Sequence, residues 1–216
     1  MIDLILDDCM NVMKKYKDNH FDLAIVDPPY GIERFKKCSE KDVENSTTIK
    51  SLRIAQRFQR METVNNIKPS KKYFTELFRV SKNQIIWGAN NFTLPESEYF
   101  IIWDKKQMMP NFARCEYAYV SMGLKKPAKI FEYPIHLHNK TDKIHPTQKP
   151  QKLYEWILHN YSKKGEKILD THLGSGSIAV ACHYFGVDLV GVEIDEEYYS
   201  KAKKRVELLT AQETLF

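Results

Sequence analysis

The sequence predicts an α/β domain built on a largely parallel sheet, and two stretches carry that prediction. Residues 166–195 run EKILD, a glycine-containing loop, SIAVACHYFG and DLVGVEID, which is strand, loop, helix and strand at the spacing of a βαβ unit. FDLAIVD (21–27) is apolar through its middle instead of alternating, the pattern of a strand covered on both faces.

The remaining elements follow in order. IDLIL (2–6) suits a short buried strand and MNVMKKYK (10–17) a short helix. Residues 31–66 are polar, basic and only patchily periodic, which reads as an inserted basic loop, mobile without a ligand, with a helical piece near 51–60. KKYFTELFRVS (71–81) places Tyr73, Phe74, Leu77 and Phe78 at helical spacing, and NQIIWG (83–88) reads as a strand. Further strands are expected at 99–105 (YFIIWDK), 116–122 (EYAYVSM) and 129–134 (KIFEYP), within a loop-rich middle. KPQKLYEWILHNYS (149–162) reads as a helix, SIAVACHYFG as one closed by a glycine, and EEYYSKAKKRVELL (196–209) as a charged closing helix.

At 216 residues with 43% hydrophobic and 12% aromatic content, the chain can bury a full core as one domain, which argues against disorder. Its net charge of +5 is compatible with a nucleic-acid partner without requiring one. Cys9, Cys38, Cys115 and Cys182 are scattered, so they read as reduced thiols of a cytoplasmic protein. No run approaches the roughly 20 apolar residues of a membrane helix, and Asp3, Asp7 and Asp8 interrupt any signal-like opening.

Three constellations carry chemistry. In DTHLGSGS (170–177), Gly174 and Gly176 permit a tight turn and close approach of a ligand to the backbone, and the next helix presents free N–H groups. About 20 residues on, the following strand ends in Glu193, where nucleotide-binding folds place an acid for ribose hydroxyls. GSGS is not followed by Lys-Ser or Lys-Thr, which argues against a phosphate-cradling P-loop. HPTQKP (145–150) reads either as a proline-bracketed helix start or as a ligand-reaching turn through Thr147 and Gln148. DPPY (27–30) follows the apolar strand directly. It is either a stiff turn or a rigid pair of acceptors, the Asp27 carboxylate and the Pro28 carbonyl, suited to an amino group on a ring that Tyr30 could stack against. His136 and His138 form an HxH without a second ligand pair nearby in sequence, so no metal site is expected.

Together DPPY, HPTQKP and the LGSGS-to-Glu193 unit resemble the S-adenosylmethionine-dependent DNA amino-methyltransferases. The motif order, with DPPY first and the glycine loop late, is similar to the beta group of that family. LDDCMNVMKKY (6–16) and IIWGANNF (85–92) extend the likeness to nearly the whole chain outside 31–70 and the variable middle. The resemblance implies a class I methyltransferase (Rossmann-like) fold with a seven-stranded, mostly parallel sheet and helices on both faces. It implies methyl transfer to the 6-amino group of adenine in duplex DNA, with the base flipped from the stack and S-adenosylhomocysteine as the product. DPPY in place of SPPY favours adenine over the cytosine 4-amino group, and the lack of a Pro-Cys dipeptide argues against cytosine carbon methylation.

Carried over residue by residue, the resemblance assigns Asp27, Pro28, Pro29 and Tyr30 to the target base. It counts Asp27 and Ile194 among the cofactor-binding residues as well, and places Asp8 near the cofactor adenine, Glu193 at the ribose, and Asp170, Leu173, Gly174, Ser175 and Gly176 along the methionine part. His145, Pro146, Thr147, Gln148 and Lys149 would hold the carboxylate end. A short target-recognition region is expected within 89–140, with Lys36, Lys37, Arg53, Arg57 and Arg60 as candidate phosphate contacts. The resemblance also implies a possible homodimer, a possible cognate restriction enzyme, and a bacterial or phage origin. The family has Asp-Pro-Phe where this chain has Asp170-Thr171-His172, which keeps a catalytically weak DNA- or cofactor-binding relic as the reading from another class.

Overall fold

The computed structural model describes residues 1–31, 67–110, 112–139, 141, 143–145 and 147–211. The candidate phosphate contacts Lys36, Lys37, Arg53, Arg57 and Arg60, the helical piece expected near 51–60, Cys38 and Pro146 lie outside the described residues. The chain divides into two units, one of Met1–Pro28 with Ser70–Phe216 and one of Pro29–Pro69. In the smaller unit a Cβ on Gly31 would stand 2.9 Å from the Lys68 Cβ, so the two ends of that segment lie side by side.

In the larger unit, β1 (Ile2–Leu6), α1 (Cys9–Met13) and β2 (Phe21–Val26) are followed by α2 (Lys71–Val80) and β3 (Ser81–Trp87). Next come β4 (Phe100–Asp104), β5 (Cys115–Val120), β6 (Lys129–Glu132) and the short α3 (Ile135–His138). The chain closes with α4 (Gln151–Tyr161), β7 (Lys167–Asp170), α5 (Ser177–Phe185), β8 (Asp188–Glu193) and α6 (Glu196–Thr210). Among the described residues the sheet has eight strands in the order β1-β8-β7-β2-β3-β5-β4-β6, one more than the resemblance implied. β5 runs antiparallel to both β3 and β4, and the other neighbouring pairs are parallel.

The apolar run of β2 is buried on both sides, as its pattern predicts. Leu23 and Ile25 join one core with Ile85, Trp87, Leu153, Ile157 and Ile178. Ala24 and Val26 join the other with Met13, Leu77, Val80 and Leu169. Burying each large aliphatic side chain contributes about 1.5–3 kcal/mol, so these two layers dominate what holds the sheet between its helices.

Two helices are shorter than their sequence patterns, for local reasons. α1 ends at Met13 in tight turns, with the Lys15 N–H bonded to the Val12 carbonyl (3.0 Å) and the Tyr16 N–H to the Met13 carbonyl (3.0 Å), and Arg79 of α2 adds donors to the carbonyls of Met13 (3.2 Å) and Tyr16 (2.9 Å). α4 begins at Gln151, not at 149, because Pro150 keeps the residue before it extended. Lys149 therefore stands outside the helix.

The topology also places the site. β2 leads to β3 on one side and β7 leads to β8 on the other, so strand order reverses between β2 and β7. Ligands of open α/β sheets bind outside the carboxyl ends of the strands at such a switch point. Here Asp170 ends β7 and Asp27 follows β2.

Candidate active site

The glycine loop leaves β7 at Asp170, whose Oδ1 accepts the His172 N–H at 3.0 Å. Burial pushes the Asp170 carboxyl up to about 8, against that hydrogen bond, which draws it down. The Leu173 N–H then donates to the Val192 carbonyl (2.8 Å), pinning the loop to β8. Gly174 and Gly176 have φ of +54° and +70°, the left-handed conformation that the motif demands of its glycines. The Gly174 N–H donates to Glu193 Oε2 (2.8 Å), while Glu193 Oε1 accepts from Ile194 (3.0 Å) and Asp195 (3.1 Å). Three backbone donors thus fix the Glu193 carboxylate, and its two oxygens retain capacity for hydroxyl donors. Burial nevertheless raises its carboxyl above the ordinary range, outweighing those bonds.

Arg205, on the charged closing helix, reaches back to the Ser175 carbonyl (2.8 Å) and Ser177 Oγ (3.0 Å). At the end of neighbouring β1, Asp8 caps α1 by accepting the Met10 N–H at 2.7 Å. The Asp7 N–H donates to the Glu193 carbonyl (3.1 Å), so the ends of β1 and β8 are tied together. Ile194 itself is exposed, and its backbone contributes more here than its side chain does.

Thr171, which is buried, and the partly buried His172 stand where the resemblance has Pro-Phe. Tyr73 of α2 lies 2.7 Å from Thr171 Oγ1, which lies 2.9 Å from His172 Nδ1. With Tyr73 donating to Thr171 and Thr171 donating to His172 Nδ1, both hydroxyl protons find an acceptor and the imidazole is neutral. Burial lowers His172 to about 4, in keeping with that state. The hydrogen-bonded chain ties the loop to α2.

HPTQKP touches both other motifs. A Cβ on Gly174 would lie 3.6 Å from the His145 ring, and that ring packs edge-on against Tyr198 at 4.4 Å between centroids. Thr147 approaches His145 Nδ1 through its N–H (3.3 Å) and Oγ1 (3.1 Å), and burial lowers His145 to about 4. Gln148 accepts the Ile144 N–H through Oε1 (3.2 Å), and its carbonyl lies 2.6 Å from His138 Nε2. His138 of the HxH is thereby engaged in bracing this turn.

Lys149 points to DPPY. Its side chain is only 3% exposed, and its ammonium forms an ion pair with Asp27 Oδ2. The same ammonium lies 3.1 Å from Glu116 Oε2 and 5.3 Å from the centre of the Trp87 ring. Glu116 Oε1 in turn pairs with Lys105 at 2.5 Å. Burial would lower Lys149, but the neighbouring carboxylates of Asp27 and Glu116 hold it above its ordinary value. Sequence reading placed Lys149 with the cofactor carboxylate and passed over Glu116, Lys105, Trp87 and Tyr73. None of these carries a local signal, since each reads as an ordinary strand or helix residue. Tyr30 lies across the boundary in the smaller unit.

The family model described as DNA methylase matches residues 21–204. The chain belongs to the DNA methylase family. This methylase is 26% identical over 235 residues to the type II methyltransferase M.HpaI of Haemophilus parainfluenzae, covering 94% of this chain and 74% of that one. Its fold matches M1.HpyAVI, solved in complex with SAM, with a TM-score of 0.56 and 21% identity over 95% of this chain and 99% of that chain. It also matches the cytosine-N4-specific PvuII DNA methyltransferase, with a TM-score of 0.60 and 9% identity over 98% and 92% of the two chains.

Proposed function

We propose that this DNA methylase transfers a methyl group from S-adenosylmethionine to the 6-amino group of adenine at a specific site in duplex DNA. One observation supports the reading above the others: Asp27, Asp170 and Glu193 stand at the carboxyl ends of β2, β7 and β8 around the switch point, with HPTQKP packed on both sides of it. The residues fit the cofactor. Glu193 offers an oriented carboxylate to ribose hydroxyls, and the left-handed glycines leave the backbone open to close approach.

When bound, the cofactor supplies an activated methyl on a sulfonium, so the protein's task is alignment. The Asp27 carboxylate and the Pro28 carbonyl accept the two N–H groups of the target amine and hold its nitrogen in position. Tyr30 stacks on the flipped base and offsets part of the few kcal/mol that extrusion costs. With the cofactor bound, the target nitrogen would pass a proton along its hydrogen bond to Asp27 as it is methylated.

Adenine is favoured by DPPY, since the related cytosine-amino enzymes carry SPPY. The fold itself is silent on the base, being shared with a cytosine-N4 enzyme. A short recognition region within 89–140 favours a homodimer on DNA, and the type II relative favours a cognate restriction enzyme in a bacterial cytoplasm. Tritiated methyl transfer to unmethylated DNA, followed by nucleoside digestion, tests the proposal. Label in methyladenine is expected, and label only in cytosine overturns the base assignment. Cofactor binding with no labelled DNA would instead favour the relic. Asp27→Ala is expected to abolish transfer while largely sparing cofactor binding.

A further inference from the structure

Lys149 is nearly inaccessible to solvent and lies between two carboxylates, those of Asp27 and Glu116. A buried ammonium paired with Asp27 alone would spend that carboxylate's charge on the lysine, leaving a weaker acceptor for anything else. A second carboxylate changes the balance. Glu116 Oε2 is buried and lies 3.1 Å from the Lys149 ammonium, a contact between opposite charges. In a poorly solvated site such a contact is screened little. Glu116 comes from β5, the strand that runs against its neighbours, and its other oxygen is anchored by Lys105 at the end of β4.

We propose that Glu116 is a positioning residue for methyl transfer: anchored by Lys105, it shares the charge of Lys149 so that Asp27 keeps its acceptor strength toward the target amino group. The inference rests on the role proposed above for Asp27. Glu116 touches no reacting atom and acts through Lys149. Removing its charge throws more of the ammonium's charge onto Asp27, so the chemical step slows, while the backbone donors that fix Glu193 in the glycine loop stay in place.

A double-mutant cycle with steady-state kinetics tests this, with cofactor binding by calorimetry as a check on folding. Glu116→Gln is expected to lower kcat about tenfold, equivalent to about 1.4 kcal/mol, with the cofactor KM changed less than about twofold. Glu116→Asp, which keeps the charge, should recover most of that loss. In a Lys149→Met background, Glu116→Gln should have no further effect, because the residue through which it acts is gone. A wild-type kcat for Glu116→Gln, losses that multiply in the double variant, or Glu116→Asp as impaired as Glu116→Gln would each overturn the inference. Asp27→Ala run alongside separates the two readings. If it is inactive while Glu116→Gln is silent, only the role of Glu116 fails; if it is active, the role of Asp27 fails.

Discussion

Replacing Gly176 by alanine should damage this methylase more than the same change at Gly165. Both glycines are left-handed, with φ of +70° and +81°, so both substitutions carry a conformational cost of about 1–2 kcal/mol. At Gly165 that is the whole cost, because an added Cβ meets nothing within 4 Å. At Gly176 the Cβ would stand 3.1 Å from Val206 Cγ2, 3.4 Å from the Ala202 Cβ and 3.5 Å from the Ala202 carbonyl oxygen. Ala202 and Val206 are buried on α6, so the crowding must be relieved by moving that helix or the loop. Overpacking of this kind adds about 1–3 kcal/mol. Urea denaturation should therefore separate the two variants by about 1–3 kcal/mol, with Gly176→Ala the weaker. Calorimetry should show cofactor affinity unchanged for Gly165→Ala and reduced for Gly176→Ala, whose loop carries the Gly174 donor to Glu193. If Gly176→Ala proves no less stable than Gly165→Ala, α6 does not press on the loop and the packing argument is wrong.

Asp170→Asn should flatten the pH dependence of stability. Burial raises the folded-state carboxyl to about 8 from an ordinary 3.8, so between those values the native state holds a proton that the unfolded chain has lost. Asp170 thus makes stability fall with rising pH across that window, by up to about 1.4 kcal/mol per unit. The asparagine variant should match the parent near pH 3 and exceed it at pH 7 in denaturant titrations, and a variant weaker at pH 7 would contradict the assignment. Tyr73→Phe removes the donor to Thr171 and should cost about 1 kcal/mol in the same assay. An unchanged midpoint would mean that the Tyr73–Thr171–His172 chain does not brace the loop.

Much of the frame was legible in the residues. β2 reads as doubly buried because a strand covered on both faces has no use for alternation, and its side chains enter both cores. The glycine loop and Glu193 are legible because left-handed turns need glycine and because the offset between them is set within one βαβ unit. These are consequences of local backbone geometry, so sequence alone determined them. What tertiary structure decided is which distant charges meet. Lys149 and Asp27 are 122 residues apart, and Tyr73 and Thr171 are 98 apart. Pro150 holds Lys149 out of the helix, but only the strand order brings it to Asp27 and Glu116. The antiparallel course of β5 likewise follows from pairing across the sheet, for which no short stretch of sequence carries a signal, whereas all eight strand segments are legible locally. Ion pairs and strand pairs depend on proximity in space, and proximity exists only once the chain has folded.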